Sequence, residues 1–291
     1  MRVALVVGAR SMLGTQLCLS LRDRGVLVLT AGRALSDNVF IDLDAAVAPI
    51  VGQERVDAVF HCAASFAPDT IAGIADNFRI NTASTWQVAA MCQSLGAKQL
   101  VYAGTVSSSY GITDRANYNS YGLSKALGEE VFEWALSKAG IGFASLRFSQ
   151  LYDTEGRCCK HQPWFGRIVA YASRGQDLRL PESQGSRNFL HIQDAAEFMI
   201  RAATRKLSGV VEVVHPQFIT CDELAEMAYS VFGCGGKVSR ANDKAPFRKV
   251  GFPAADTALK VFGRPSIEMR EGLLRIKERK TWQAFGPMDV K

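Results

Sequence analysis

The chain lacks any long hydrophobic run: its opening apolar stretch, Val3 to Val7, is broken by Gly8 and Arg10. Five residues are too few for the apolar core of a signal peptide, and no later stretch approaches what a membrane-spanning helix needs. A soluble, cytoplasmic protein with no membrane partner is expected. Tracts rich in Pro, Gln or Ser are missing, which excludes a disordered or fibrous body, and no internal repeat is visible. The seven cysteines form no CxxC pair. Cys18, Cys62 and Cys92 fall in apolar or helical contexts, so reduced thiols are expected and no metal-ligand set is read. Charge of one sign is scarce too. The 34 basic and 28 acidic residues leave +6, scattered and not gathered into basic blocks, so nucleic acid is not the expected partner. A mild positive field equally suits a phosphate-bearing small molecule, and charge alone does not choose.

What is present is a globular composition, 48% hydrophobic and 21% charged over 291 residues, enough for about two folding units. The first half alternates short apolar runs with amphipathic stretches. Val3-Ala-Leu-Val-Val is followed by a helical pattern from Met12 to Arg24, then Val26-Leu-Val-Leu, Val56-Asp-Ala-Val-Phe, a helix from Asn81 to Leu95, and Leu100-Val-Tyr. Such alternation predicts a parallel sheet covered on both faces, doubly wound, with ligands at the carboxyl ends of its strands. From about Leu151 the rhythm weakens through a Cys-, Pro- and Gly-containing stretch to Gly185, with helices near Asp194 to Arg205 and after Thr220. The expected fold is α/β, a Rossmann-like doubly wound parallel sheet with a smaller C-terminal α/β substrate lobe. Its boundaries are 1–150 for the dinucleotide-binding domain, with later segments such as 187–215 returning to it, and 151–291 for the lobe.

Directly after the first strand stands Gly8-Ala-Arg-Ser-Met-Leu-Gly14, opening into a helix. A dinucleotide fingerprint needs glycine where the backbone turns tightly and where helix packs on strand, so that the helix N-terminus faces a pyrophosphate. Gly8 and Gly14 fit those places, while Ser11 stands where a middle glycine is usual. Gly8, Arg10, Ser11, Met12, Leu13 and Gly14 are therefore predicted cofactor residues. The second strand ends in Gly32-Arg33. NAD-selective sites carry an acidic residue there for the ribose diol, whereas guanidinium attracts a 2′-phosphate, so Arg33 with Arg10 favours NADP(H) over NAD(H). The plainer reading is two surface arginines. Asp42-Leu43, after a third short strand, either contacts the adenine edge or, through Asp42, caps the next helix.

The most specific feature is Tyr121-Gly-Leu-Ser-Lys125, opening a helical stretch. A spacing of four puts phenol and ammonium on one helix face. Free tyrosine titrates at about 10, and a fixed ammonium favours its anion, which makes Tyr121 a usable acid or base at neutral pH.

Together with these motifs, His61-Cys-Ala-Ala64, Asn81-Thr-Ala-Ser-Thr85, Leu100-Val-Tyr-Ala-Gly-Thr105, Tyr110-Gly111, Leu146-Arg-Phe-Ser-Gln150, Arg187-Asn-Phe-Leu-His-Ile-Gln-Asp194 and Phe262-Gly-Arg-Pro265 make the chain resemble the extended short-chain dehydrogenases/reductases. The branch is that of the NAD(P)-dependent epimerases and dehydratases, which mostly handle nucleotide sugars. The resemblance implies that Tyr121 transfers the proton, that Lys125 binds the ribose and lowers the pKa of Tyr121, and that Thr105 holds the substrate oxygen. It also implies that Ala63 and Ala64 line the cofactor, that Arg187 meets a substrate phosphate, and that the enzyme is a homodimer. The segment Val106-Ser-Ser-Ser109 is one residue longer than usual, so Ser107 rivals Thr105. Gln150 stands where Asn is usual and Asn188 where Asp is, so substrate contacts at these places differ from the family's.

The dehydratases of this branch resemble one another in an Asp-Glu pair after the catalytic Thr, and Val106-Ser107 offers neither. Members that invert two carbons with NADP carry an additional Cys after the catalytic Ser, absent here. Four-epimerases hold NAD, which Gly32-Arg33 argues against. The expectation that remains is reduction by NADPH of a keto group, that of a 4-keto nucleotide-linked deoxysugar, with a nucleotide-sugar epimerase as the enzymatic alternative and an NADPH-sensing scaffold or regulator as the non-enzymatic one.

Overall fold

Four of the five residues of Val3-Ala-Leu-Val-Val are buried, the pattern of a strand covered on both faces. In the computed structural model, which describes residues 1–45, 55–182 and 184–288, this run is β1 (Val3–Val7). It is followed by α1 (Met12–Arg22), β2 (Leu27–Gly32), β3 (Val39–Phe40), β4 (Ala58–His61), α2 (Ile71–Phe78), α3 (Thr85–Ser94), β5 (Gln99–Thr105), α4 (Tyr110–Thr113), α5 (Ser120–Lys138) and β6 (Gly142–Phe148). The second half adds β7 (Gln150–Tyr152), α6 (Pro163–Ser173), β8 (Leu178–Leu180), β9 (Arg187–His191), α7 (Ile192–Thr204), β10 (Gly209–Val213), β11 (Phe218–Ile219), α8 (Cys221–Phe232), β12 (Val238–Arg240), α9 (Asp256–Phe262) and α10 (Met269–Glu278).

The chain divides into two compact units, the first made of Met1–Phe148, Ala195–Val213 and Lys260–Phe262 and the second of the remaining described residues. In the first unit a seven-stranded sheet runs in the order β10-β6-β5-β4-β1-β2-β3, with every pairing parallel. The chain winds outward from β1 to β3 and returns on the other side through β4, β5 and β6. With right-handed crossovers that reversal puts helices on both faces and opens a crevice between the ends of β1 and β4. Leu5, Val59, Leu100 and Tyr102 from the strands close the core against Val88, Met91, Phe132 and Leu136 from the helices.

In the second unit β9 pairs with β7 in parallel and with β11 antiparallel, and β8 pairs with β12. Helix α8 starts at a capping box, in which Thr220 accepts from the Glu223 amide while the Glu223 side chain accepts from that of Thr220. The stretch to Gly185, expected to be irregular, holds α6, because Pro163 sits in the first turn, where a missing N–H costs nothing. The helix expected from Asn81 to Leu95 also differs. Helix α2 precedes it, and a wide π-helical turn over Arg79–Ala83 separates α2 from α3. Among the described residues no helix is long and apolar enough to cross a membrane.

Candidate active site

Gly8, at the end of β1, has φ +79°, and a Cβ placed on it would lie 2.6 Å from the backbone nitrogen of Ala63, just past β4. Glycine alone lets these two loops approach at the switch point of the sheet. Gly14 answers a second close approach, since its Cβ would lie 2.2 Å from the Gly8 carbonyl oxygen. Ser11, standing for the middle glycine, caps α1: its Oγ accepts from the Gly14 amide at 3.0 Å. The amides of Met12 and Leu13 fall in the first turn, where no intrahelical acceptor exists, while the Leu13 side chain is buried in the core.

A cleft of about 440 Å³ opens here. Gly8, Arg10 and Ser11 line it from the β1 loop, Arg33 and Asp42-Leu43 from the β2 and β3 ends, and Ala63 and Ala64 from the β4 loop. Met12, Leu13 and Gly14 stand behind this lining. Arg10 is not an unopposed cation. Its two terminal nitrogens donate to Asp37 at 3.1 and 2.6 Å, and the Asp37 side chain is only 2% exposed. Burial alone would push the Asp37 carboxyl up, yet hydrogen bonds from Arg10 and the Ala34 amide hold it below the usual range. Asp37 escaped the sequence reading because it lies five residues beyond β2, at no position the fingerprint marks. Arg33 is exposed, 3.8 Å from Asp42, and Asp42 also accepts from the Asp44 amide.

A second cluster forms where β5 meets α5. Asn119 caps α5 by accepting from the Gly122 amide at 2.9 Å, which starts the helix so that Tyr121, Lys125 and Glu129 follow one another along one face. Thr105, the last residue of β5, hydrogen-bonds the Tyr121 phenol through its side chain and accepts from the Ser107 amide at 3.2 Å. Ser107 shows no such engagement of Tyr121; its carbonyl packs against Gly122. Lys125 is 1% exposed, and its ammonium lies 3.8 Å from the centroid of the Tyr102 ring, with no hydrogen-bond acceptor among the described residues. Burial brings it down to about 7.

The expected lowering of Tyr121 by Lys125 is not found. Tyr121 is pushed up to about 12, first by burial and further by Glu129, against the hydrogen bond from Thr105.

The loop after β4 is tied to α5 by two asparagines whose roles sequence reasoning missed. Asn81, in the π-helical turn, accepts from the Ser65 amide at 2.8 Å and donates to the Ser65 carbonyl and to Ser124 Oγ. Asn77 accepts from the Ala67 amide and Ser65 Oγ and donates to the Ala67 carbonyl and Ser120 Oγ. The signal was legible in one respect: asparagine is a poor helix former, and two of them four apart on one helical path suggest side chains with other work. Phe66, in the same loop, sets its ring edge-on to Tyr121 at 4.6 Å between centroids.

Gln150 and Arg187 belong to the second unit. The Arg187 guanidinium is buried and donates to the carbonyls of Arg248 at 2.6 Å and Ser186 at 3.3 Å, and Gln150 Oε1 is buried with no partner among the described residues. Asn188 bridges β9 to the 215–217 segment, donating to the His215 carbonyl and accepting from its amide.

Residues 4–214 match the model of a family described as the NAD dependent epimerase/dehydratase family. A comparison with curated proteins finds no match. Among solved structures, UDP-N-acetylglucosamine 4-epimerase from Bacillus cereus aligns at 20% identity and a TM-score of 0.72, covering 100% of this chain and 99% of that one. RMD from Pseudomonas aeruginosa, complexed with NADPH, aligns at 17% identity and 0.78, covering 98% and 99%. UDP-glucose 4-epimerase from Thermus thermophilus, in complex with NAD, aligns at 19% and 0.71, covering 97% and 99%. At such identities the likeness is one of fold.

Proposed function

The chain belongs to the NAD dependent epimerase/dehydratase family, enzymes with a nicotinamide cofactor, and from that premise we propose that it is an NADPH-dependent reductase of a keto group, acting on a 4-keto nucleotide-linked deoxysugar. The residues present fit a dinucleotide. Gly8 lets the β1 and β4 loops close up at the floor of the cleft, the first turn of α1 offers amides to a pyrophosphate, and the buried Lys125 ammonium has donors to spare for ribose hydroxyls. The preference for NADPH rests on Arg10 and Arg33 in the cleft lining. The one buried carboxylate nearby, Asp37, is covered by Arg10 and so is not offered to a ribose diol.

The observation that carries the reductase reading is the meeting of Tyr121, at the start of α5, with the Thr105 side chain at the end of β5, with Lys125 one turn further on and buried against the Tyr102 ring. When bound, the cofactor supplies hydride. Reduction of a ketone then needs one proton for the developing alkoxide, and a phenol that has kept its proton is the right starting state. Tyr121 donates that proton, Thr105 donates a hydrogen bond to the same oxygen, and Lys125 orients the ribose and supports the phenolate left behind. Ser107, Gln150 and Arg187 are assigned to the substrate, Arg187 to its phosphate. Replacing Tyr121 with Phe is expected to abolish turnover of keto-sugar nucleotides while NADPH affinity stays within about twofold; retained turnover would refute the assignment.

An epimerase on the same site is favoured by the end-to-end alignment with two 4-epimerases. It is separated by stoichiometry: the reductase consumes one NADPH per product, and the epimerase none. A homodimer accompanies either reading, through the exposed Trp86 of α3 and the exposed Leu127 and Trp134 of α5.

A further inference from the structure

Phe66 is 52% exposed, yet the backbone that carries it is held on both sides. Its two chain neighbours are gripped by the buried Asn81 and Asn77. Asn81 accepts from the Ser65 amide at 2.8 Å and donates to the Ser65 carbonyl at 2.9 Å, and Asn77 does the same for Ala67, at 3.0 Å in both directions. Each asparagine is then pinned to α5, Asn77 at Ser120 Oγ and Asn81 at Ser124 Oγ, and the Ser120 amide donates to Asp69 in the same loop at 3.1 Å. Those two serines flank Tyr121 in the chain. A residue framed in this way presents its side chain at a fixed place relative to the phenol. The Phe66 ring stands edge-on to the Tyr121 ring, 4.6 Å between centroids, with their planes at 81°.

Single exposed apolar side chains are ordinary on a protein surface, and two observations set this one apart. It follows directly on Ala63, Ala64 and Ser65, which line the cofactor cleft, and it packs on the group assigned to proton transfer. A ring on a backbone already ordered loses little conformational freedom when a ligand covers it, so this surface is prepared for contact. Its chemistry sets what it can take. The ring offers a hydroxyl no conventional hydrogen bond, and a hydroxyl that gives up water to lie against it goes uncompensated, whereas a methyl group gains by leaving water.

A substrate oxygen that takes the Tyr121 proton lies about 2.7 Å from the phenol oxygen, so the groups beside the keto carbon are the ones a ring next to Tyr121 can meet. In a 4-keto hexose these are the hydroxyl on one neighbouring carbon and the exocyclic carbon borne by the other. The exocyclic carbon reaches out from the sugar ring, and it is apolar when it is a methyl group. We propose that Phe66 is a specificity-determining residue that packs on this methyl, so that the substrate is a 6-deoxy-4-keto sugar and not its 6-hydroxy counterpart. This deepens the reading of Tyr121 as proton donor to a nucleotide-linked keto sugar, and rests on it.

The test is the oxidation of the 4-alcohol by NADP⁺, the reverse of the proposed reduction, in which hydride passes to the cofactor and the hydroxyl proton to the Tyr121 oxygen. The probes are UDP-, dTDP- and GDP-linked hexoses of both configurations at the reacting carbon, each paired with its 6-deoxy form, and the absorbance of NADPH reports the rate. In the native enzyme kcat/KM is expected to favour the 6-deoxy member by about tenfold to a hundredfold. Phe66→Gln, which keeps the bulk and adds hydrogen-bonding groups, should cut that preference to about threefold or less, while Phe66→Leu, still apolar, should keep most of it. NADP⁺ affinity should stay within about twofold in both variants, because the ring lies outside the cleft lining. A merely structural role would slow both members of a pair alike and leave their ratio as it was. Equal kcat/KM within the pair in the native enzyme, or an undiminished preference in Phe66→Gln, overturns the proposal and leaves the reductase reading standing. If the native enzyme oxidises no member of any pair, the reading of a nucleotide-linked deoxysugar substrate falls, and the role of Phe66 with it.

Discussion

Replacing Gly8 with Ala joins the phosphate loop to a measurable stability, and a second glycine supplies the control. Gly8 has φ +79° and Gly25 has φ +72°, a region where an L side chain costs about 1–2 kcal/mol. The two differ in surroundings. A Cβ at Gly25 meets nothing within 4 Å, whereas one at Gly8 would lie 2.6 Å from Ala63 N and 2.8 Å from Ala63 Cα. Those are backbone atoms beside a central strand, so relief requires β1 and β4 to part, and overpacking of this kind costs about 1–3 kcal/mol more. Gly25→Ala should therefore cost about 1–2 kcal/mol and leave NADPH affinity unchanged, while Gly8→Ala should cost about 2–5 kcal/mol and weaken NADPH by tenfold or more. Urea denaturation followed by circular dichroism gives the first quantity, and quenching of protein fluorescence by NADPH the second. If Gly8→Ala costs no more than Gly25→Ala, or binds NADPH as tightly as the native enzyme, the close approach of these loops is not what shapes the cradle.

Arg33→Asp should shift the ratio of NADPH to NADH affinities toward NADH, and Asp37→Asn, which leaves the charge of Arg10 unopposed, should shift it toward NADPH; equal ratios in all three proteins would remove both residues from the 2′-phosphate site. Acid should destabilise the fold well above the carboxylate range. His61 and His191 titrate at about 3 and about 4 in the fold against 6.5 when free, both lowered by burial, so below pH 6.5 the unfolded chain takes up the protons. Stability is then full above that pH and is lost by about 1.4 kcal/mol per pH unit for each histidine as the pH falls toward 4; denaturation midpoints that stay constant from pH 6.5 to 4.5 would contradict this. Trp134→Glu places a charge at a side chain 68% exposed on α5 and should convert the proposed homodimer to monomer in sedimentation velocity, whereas an unchanged mass would exclude this face.

The resemblance that the sequence carries is borne out by the family match over residues 4–214. So is the reading of a parallel, doubly wound sheet, which seven strands in a single parallel sheet bear out. These were legible because they are local. A strand buried on both faces must be apolar throughout, a tight turn needs glycine, and a phenol and an ammonium four residues apart share a helix face whatever surrounds them. The π-helical turn at Asn81 was not legible, because the bonds that hold it run to Ser65 and Ser124, far along the chain.

The same division runs through the chemistry. Sequence by itself determined which groups can act: a phenol, an amine, a hydroxyl and two guanidinium groups beside a glycine loop. Only the tertiary structure decided their charge. Asp37 reaches Arg10 across 27 residues, Arg147 reaches Glu129 across 18, and burial, a property of the packed whole, raises Tyr121 where spacing predicted it lowered. Protonation depends on the dielectric and the charges within a few ångströms, and those neighbours are brought together by folding and not by order along the chain.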